Sequence, residues 1–226
     1  MPKKPVILDF DSTLCAVESL DALAGLVLAD DPECEAKVAE MERLTNLGMS
    51  GDLPLSESLT QRLAILTFDR NHVRQLVEEL RHQLTPGLTE DRQWILDHAN
   101  HLHVVSGGFF DWIAPVLTPL GFRAEQIHAN TLCWNTDVCA GFDHNHPLAR
   151  NGGKPEIVKL LGLGPKASLI AVGDGISDLE LKRTGQVDRF VAYTAHARRG
   201  VVVQEADMEA SSWTALREIL EQAWIG

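Results

Sequence analysis

The sequence predicts an α/β fold, in which a parallel sheet flanked by helices is interrupted after its first strand by a helical bundle. Three observations carry this reading. Pro5-Val6-Ile7-Leu8-Asp9-Phe10 is a continuous apolar run, suited to a strand buried on both faces. From about residue 16 to 84 the apolar spacing turns helical. After Thr85-Pro86-Gly87, strand-like and helix-like segments alternate, the pattern of a parallel sheet with helices on both faces.

Each element follows from local spacing. Leu20, Leu23, Ala24 and Val27 stand at i, i+3, i+4 and i+7, one face of a helix. A helix is predicted from Glu35 to Leu47. Leu55, Leu59, Leu63 and Leu66 make a further stripe, and Val73, Leu76, Val77, Leu80 and Leu84 another. Asp30-Asp31-Pro32, Gly51-Asp52-Leu53-Pro54 and Asp69-Arg70-Asn71 break the chain between them. Beyond residue 85, Leu102 to Ser106 is predicted as a strand and Phe109 to Leu120 as a helix. Thr131 to Phe142 reads as a hairpin, and Lys154 to Leu163 as a helix with Pro155 in its first turn. Ser168 to Val172 is a second buried strand, followed by a helix from about Ser177. Arg189 to Tyr193 is expected to be the last core strand, and Ser212 to Trp224 the closing helix. The expected division is a core formed by residues 1–15 and 85–226 and an inserted helical cap of residues 16–84.

Composition narrows the function. The 226 residues are 45% hydrophobic and 23% charged, enough to bury a core and unlike a disordered chain. No apolar run approaches the ~20 residues of a membrane-spanning helix. The start, Met1-Pro2-Lys3-Lys4, meets Asp9 too soon for a signal peptide. With 32 acids against 20 bases the net charge is −12, which repels nucleic acid and anionic membranes. Cys15, Cys34, Cys133 and Cys139 form no CxxC pair, so a reduced, cytoplasmic protein is expected. His144 and His146 lie close together without a further ligand cluster, and read as a solvated turn rather than a zinc site.

Three strand ends carry suspicious residues. They are Asp9-Phe10-Asp11-Ser12-Thr13, Ser106-Gly107-Gly108, and Gly173-Asp174-Gly175-Ile176-Ser177-Asp178. Open α/β sheets bind ligands beyond the carboxyl ends of their strands. Singly, each motif is an ordinary turn or helix cap; together, after apolar strands, they point to a site. Acids gathered without a basic cluster favour a hard divalent cation, above all Mg²⁺. Other phosphate and nucleophile motifs fail. Gly152-Gly153-Lys154 lacks the length of a Walker loop, Gly162-Leu163-Gly164 follows a helix, and no GxSxG is present.

With Lys154 added, these motifs resemble the four motifs of the haloacid dehalogenase superfamily, whose core is Rossmann-like. The likeness is nearer still to the phosphoserine phosphatase family and covers nearly the whole chain. Glu18 stands nine residues after Asp9, as that family's cap glutamate does. Met49-Ser50-Gly51-Asp52-Leu53-Pro54-Leu55 with Arg62 resembles its cap segment; Asn130, Ala140-Gly141-Phe142-Asp143, Pro147 and Gly152-Gly153-Lys154 fit its pattern.

The resemblance implies a Mg²⁺-dependent hydrolysis of O-phosphoserine through an aspartyl-phosphate. It makes Asp9 the nucleophile, a carboxylate that needs no activating base at neutral pH. Asp11 is the implied acid and base. The metal is implied on Asp9, Asp174 and the main-chain carbonyl of Asp11, with Asp178 in support. Lys154 steadies Asp9 and the phosphoryl group, and Ser106 with the amides of Gly107 and Gly108 donates to phosphoryl oxygens. Glu18 is the expected partner of the substrate ammonium and Arg62 of its carboxylate. Met49 and Leu55 close the pocket, and Ser177 and Arg198 complete it, with Arg199 an equal candidate for Arg198's place.

Leu55, Ser50 and Ser177 depart from common family residues, which leaves the chemistry intact and the substrate open. A phosphatase or phosphotransferase for another small phosphate ester is the alternative, and a non-catalytic binding protein a more distant one. The expected partner is a small phosphate ester, with no nucleic acid or membrane, in a monomer or homodimer.

Overall fold

The computed structural model describes residues 3–163 and 169–225. Eighteen helices and strands follow in chain order. They are β1 (Val6–Leu8), α1 (Ser19–Val27), α2 (Cys34–Ser50), α3 (Leu55–Ile65), α4 (Arg70–His82), α5 (Arg92–His98), β2 (Leu102–Phe109) and α6 (Phe110–Leu117). Then come β3 (Ile127–Asn130), β4 (Leu132–Asn135), β5 (Val138–Phe142), α7 (Gly153–Leu161), β6 (Ile170–Gly173), α8 (Ile176–Arg183), β7 (Arg189–Tyr193), α9 (Gly200–Glu205), β8 (Met208–Ala210) and α10 (Trp213–Ile225). No helix among the described residues is long and apolar enough to cross a membrane.

Six strands form one sheet in the order β3-β2-β1-β6-β7-β8, every pairing parallel. β4 and β5 form a separate antiparallel hairpin. The apolar runs explain why the sheet is covered on both sides. Val6 and Leu8 of β1, Ile170 and Val172 of β6, and Val191 and Tyr193 of β7 enter one hydrophobic cluster. The alternate residues Ile7, Ala171, Phe190 and Ala192 enter a second cluster on the other face. The first cluster continues without a break into the inserted helices through Leu14, Leu20, Leu23, Leu76 and Leu80. The predicted helical stripes are therefore the faces turned towards this core.

Several boundaries differ from the predicted ones. β2 runs on through Ser106-Gly107-Gly108 to Phe109, so the second motif is the end of the strand itself. α6 stops at Leu117, and a tighter turn around Pro119 takes the chain to Leu120. α4 ends at His82, and Leu84 bridges to Cys15 instead. The predicted start of β6 at Ser168 lies outside the described residues. β7 is not the last strand: β8 pairs beyond it at the sheet edge. Only three residues long and carrying Glu209, β8 has no apolar run to announce it. β3, α5 and α9 are likewise short and were not predicted. α1 to α4 lie between β1 and β2 in sequence, where the helical texture placed them.

Candidate functional site

The ends of β1, β2 and β6 and the start of α7 meet at one cavity of about 140 Å³. Because β1, β2 and β6 are adjacent in the sheet, their C-terminal residues converge. Asp9, Asp11, Ser106, Gly107, Gly108, Lys154 and Ser177 line the cavity from the sheet side, and Glu18, Met49, Leu55, Leu59 and Arg62 from the inserted helices.

Lys154 is the centre of the floor. Carried in the first turn of α7, it is buried, with Nζ 2.7 Å from Asp178 Oδ1 and 2.9 Å from Asp9 Oδ1. Burial alone would favour the neutral amine; the two carboxylates outweigh it and push the lysine above its ordinary value. The Phe10 amide also donates to Asp9 Oδ1, at 2.8 Å, fixing the carboxylate at the strand end. Asp178 accepts from the Gly175 amide at 3.2 Å, yet burial, with Asp9 close by, pushes its carboxyl up to about 7. Gly173 makes this approach possible: a Cβ there would lie 2.1 Å from the Asp178 carboxyl carbon.

Asp9, Asp174 and Asp178 each bring a carboxylate oxygen within 4.8 Å of the others. Asp174 is almost wholly buried, and both its oxygens lack a hydrogen-bond partner. Arg199 Nη2 lies 2.9 Å from Asp174 Oδ2, an ion pair without hydrogen-bond alignment. Burial, only partly offset by that arginine, holds the Asp174 carboxyl well above the usual range. Buried carboxylates with unused oxygens are costly unless a cation or donor answers them. Three oxygen donors of this kind fit a hard divalent cation such as Mg²⁺. Asp11 adds no carboxylate to the group. Its Oδ1 accepts from the Ser19 amide at 2.9 Å, and its carboxyl stands well above the ordinary range through burial and the nearby charges of Glu18 and Asp9.

Arg62, on α3, is buried and pairs with Asp21 Oδ1 at 2.8 Å. Thr45 donates to the same oxygen at 2.9 Å. The guanidinium Nε has no partner. Glu18 accepts from Ser12 Oγ at 2.8 Å, and burial shifts its carboxyl upward. Ser106 Oγ accepts from the Gly108 amide at 3.0 Å. Asn130 ties the end of β2 to the turn before α7, donating to the carbonyls of Gly107 and Leu148.

The structure thus brings together Asp9, Asp11, Glu18, Met49, Arg62, Ser106, Gly107, Gly108, Lys154 and Ser177, with Asp174 and Asp178 beside them. It does not bring Arg198. Arg198 is exposed and turns to Glu209 of β8, while Arg199 points inward to Asp174 and, at 4.0 Å, to Glu18. Adjacent residues of an extended loop face opposite ways, so only one of the two reaches the site. Sequence reasoning missed Asp21 and Asn151, whose contacts join distant segments, and the bond from Ser12 to Glu18. His144 is exposed and stacks on Phe142, and His146 accepts from the Leu148 amide, as expected of a turn. All four cysteines are free.

Acids at the ends of parallel strands, with a buried lysine from the first turn of α7, form the kind of site a hydrolase uses. The chain belongs to the haloacid dehalogenase-like hydrolase family, whose model matches residues 6–183. Among named relatives it is 33% identical to the chloroplastic phosphoserine phosphatase of Arabidopsis thaliana over 89% of this chain, spanning 66% of the plant protein's length. It is 31% identical to Homo sapiens phosphoserine phosphatase over 96% of this chain and 93% of the human one. A phosphoserine phosphohydrolase-like protein from Francisella tularensis superposes with a TM-score of 0.83 at 30% identity, covering 96% of this chain and 99% of the other.

Proposed function

We propose that this cleft hydrolyses O-phosphoserine to serine and phosphate, the last step of serine biosynthesis, with residues 16–84 acting as a cap over a core of residues 1–15 and 85–226. One observation carries the reading. A nucleophile-bearing floor of acids and lysine faces a wall that holds a buried arginine with an unpaired donor and a glutamate. A phosphate ester bearing a carboxylate and an ammonium complements both sides.

Asp9 attacks phosphorus, and the serine oxygen leaves as the aspartyl-phosphate forms. Asp11, whose burial and acidic neighbours favour the protonated form, delivers its proton to that leaving oxygen. The resulting carboxylate then takes a proton from water, whose oxygen bonds to phosphorus as the bond to Asp9 breaks. The Ser19 amide fixes one Asp11 oxygen. Its other oxygen lies against Gly108, where a Cβ would approach to 3.2 Å. Lys154 holds Asp9 in position and offsets phosphoryl charge, while Ser106 and the Gly107 and Gly108 amides donate to phosphoryl oxygens. Asp9, Asp174 and Asp178, with the Asp11 carbonyl, would hold Mg²⁺, which lowers the repulsion between Asp9 and the phosphate dianion. Arg62 orients the substrate carboxylate and Glu18 its ammonium, with Met49, Leu55 and Ser177 lining the remainder. The free cysteines and acidic surface support a cytoplasmic setting.

The test is phosphate release from phosphoserine, phosphothreonine, phosphoethanolamine and phosphoglycolate, with Mg²⁺ and with chelator. A Mg²⁺-dependent preference for phosphoserine is expected. Activity centred on another ester would keep the aspartate chemistry and overturn the substrate.

A further inference from the structure

Two of the inserted helices that border the cleft, α1 and α3, begin in a similar way. Neither Glu18 before α1 nor Pro54 before α3 offers a side-chain cap, although the first amides of a helix need acceptors. In both cases the acceptor comes from the sheet side of the cleft. The Ser19 amide donates to Asp11 Oδ1 at 2.9 Å. The Leu55 amide donates to Asn151 Oδ1 at 2.9 Å, across 96 residues of sequence. Asp11 belongs to the reacting set already described. Asn151 does not; it stands on the Gly152-Gly153 turn that leads to Lys154.

Beyond the other end of α3, the link to α4 is fastened differently. The Cys139 amide donates to the Phe68 carbonyl at 2.9 Å, and the Arg70 amide to the Asp137 carbonyl at 3.1 Å. Trp134 of the hairpin packs edge-on to Phe68, with the Arg70 guanidinium 4.3 Å from its ring centre. The link from α3 to α4 is therefore joined to the hairpin by two main-chain bonds and an aromatic contact. The first turn of α3 reaches the sheet side through the bond to an exposed side chain, its Ser58 Oγ donating instead to the Leu44 carbonyl within the inserted helices. Between them, Leu55, Leu59 and Arg62 face the cavity, and Leu55 lies over Gly107, where a Cβ would sit 3.8 Å from its Cδ2.

We propose that Asn151 is a positioning residue that latches α3 over the cleft, with the β4–β5 hairpin as its fixed end. Breaking the Asn151–Leu55 bond frees the first turn of α3 and lifts Leu55 from Gly107, admitting substrate. Remaking it seats Arg62 against the bound ester. The role given to Arg62 rests on the phosphoserine reading; the latch itself rests on the contact.

Amide hydrogen exchange on the whole protein tests the latch without any ligand. In Asn151→Ala, peptides covering residues 53–59 exchange roughly fivefold faster, the scale of one net hydrogen bond, while those covering 66–70 are unchanged. Asn151→Asp retains the acceptor oxygen and restores the protection. Because Asn151 is exposed, neither substitution opens a cavity. With Mg²⁺ and phosphoserine, Asn151→Ala raises KM by a similar factor and changes kcat less, and Asn151→Asp reverses the rise. Equal exchange at residues 53–59 in wild type and Asn151→Ala overturns the latch. The expected exchange pattern in a protein that does not hydrolyse phosphoserine supports the latch and overturns the substrate.

Discussion

The floor and the roof of the cleft are held in place by different means. On the floor, Asp9, Ser106 and Asp174 sit on or beside the ends of three hydrogen-bonded parallel strands, and Lys154 is enclosed by carboxylates of the same layer. On the roof, Arg62 is oriented by Asp21 and Thr45, all three within the inserted helices. α1 and α3 each meet the floor through a hydrogen bond from their first amide, and α1 is held as well by the Trp112 indole on Ser19 Oγ. The difference teaches where each property resides. In the proposed reading, reacting atoms are placed by the hydrogen-bonded sheet and substrate preference by the inserted helices.

The sharpest way to break this division is to remove Asp11, the proposed proton carrier of the floor. Asp11→Asn is expected to lower turnover on the order of 10²–10⁴-fold, the range of general acid–base catalysis. The loss should be similar for phosphoserine and for esters lacking its carboxylate, since the leaving oxygen needs a proton in every case. Near wild-type rates in this variant would remove Asp11 from the mechanism. A loss confined to phosphoserine would move Asp11 from floor to roof.

Arg62→Ala makes the complementary cut. A charge-assisted bond contributes about 1.5–3 kcal/mol, so kcat/KM for phosphoserine should fall about 10–100-fold. Phosphoethanolamine, which lacks the carboxylate, should lose far less. Equal losses on both esters would show that Arg62 supports the structure around Asp21 rather than recognising substrate.

What the sequence reveals follows the same division. The floor was legible because each of its groups ends a local pattern: an apolar run into Asp9, another into Ser106, a third into Asp174, and a helix start at Lys154. The six-stranded core was legible for the same reason, except where strands are short. Ile127–Asn130 and Met208–Ala210 carry too few apolar residues to stand out. The helices of the roof were legible from their apolar spacing, but its polar contacts only through family resemblance, because Arg62's orientation depends on Asp21, 41 residues away. Arg198 and Arg199 could not be separated, since which faces inward depends on how the loop leaves β7. Asn151 left one trace, visible only in retrospect: Pro54 deprives α3 of its own cap.

Burial drives a final contrast, between the cleft and the edge of the sheet. In the cleft it raises the carboxyls of Asp11, Asp174 and Asp178. Between β2 and β3 it acts on bases. His103 is buried, its Nδ1 lacks a partner, and its ring lies parallel to that of His128, 6.3 Å away. Burial first, then the charges of His128 and His101, brings His103 down to about 4, and burial lowers His128 as well. Between the ordinary histidine value near 6.5 and pH 4, the unfolded chain binds a proton that folded His103 refuses. This contribution is intact above about pH 6.5 and is lost as pH falls towards 4, at a slope of at most about 1.4 kcal/mol per pH unit. Urea unfolding at pH 7.5 and pH 5 checks it, with wild type expected to lose more stability on acidification than His103→Gln. The cleft acids are common to both proteins and cancel in the comparison. Parallel losses would mean that the histidine pair is hydrated enough to accept protons while folded, and that burial governs titration only at the cleft.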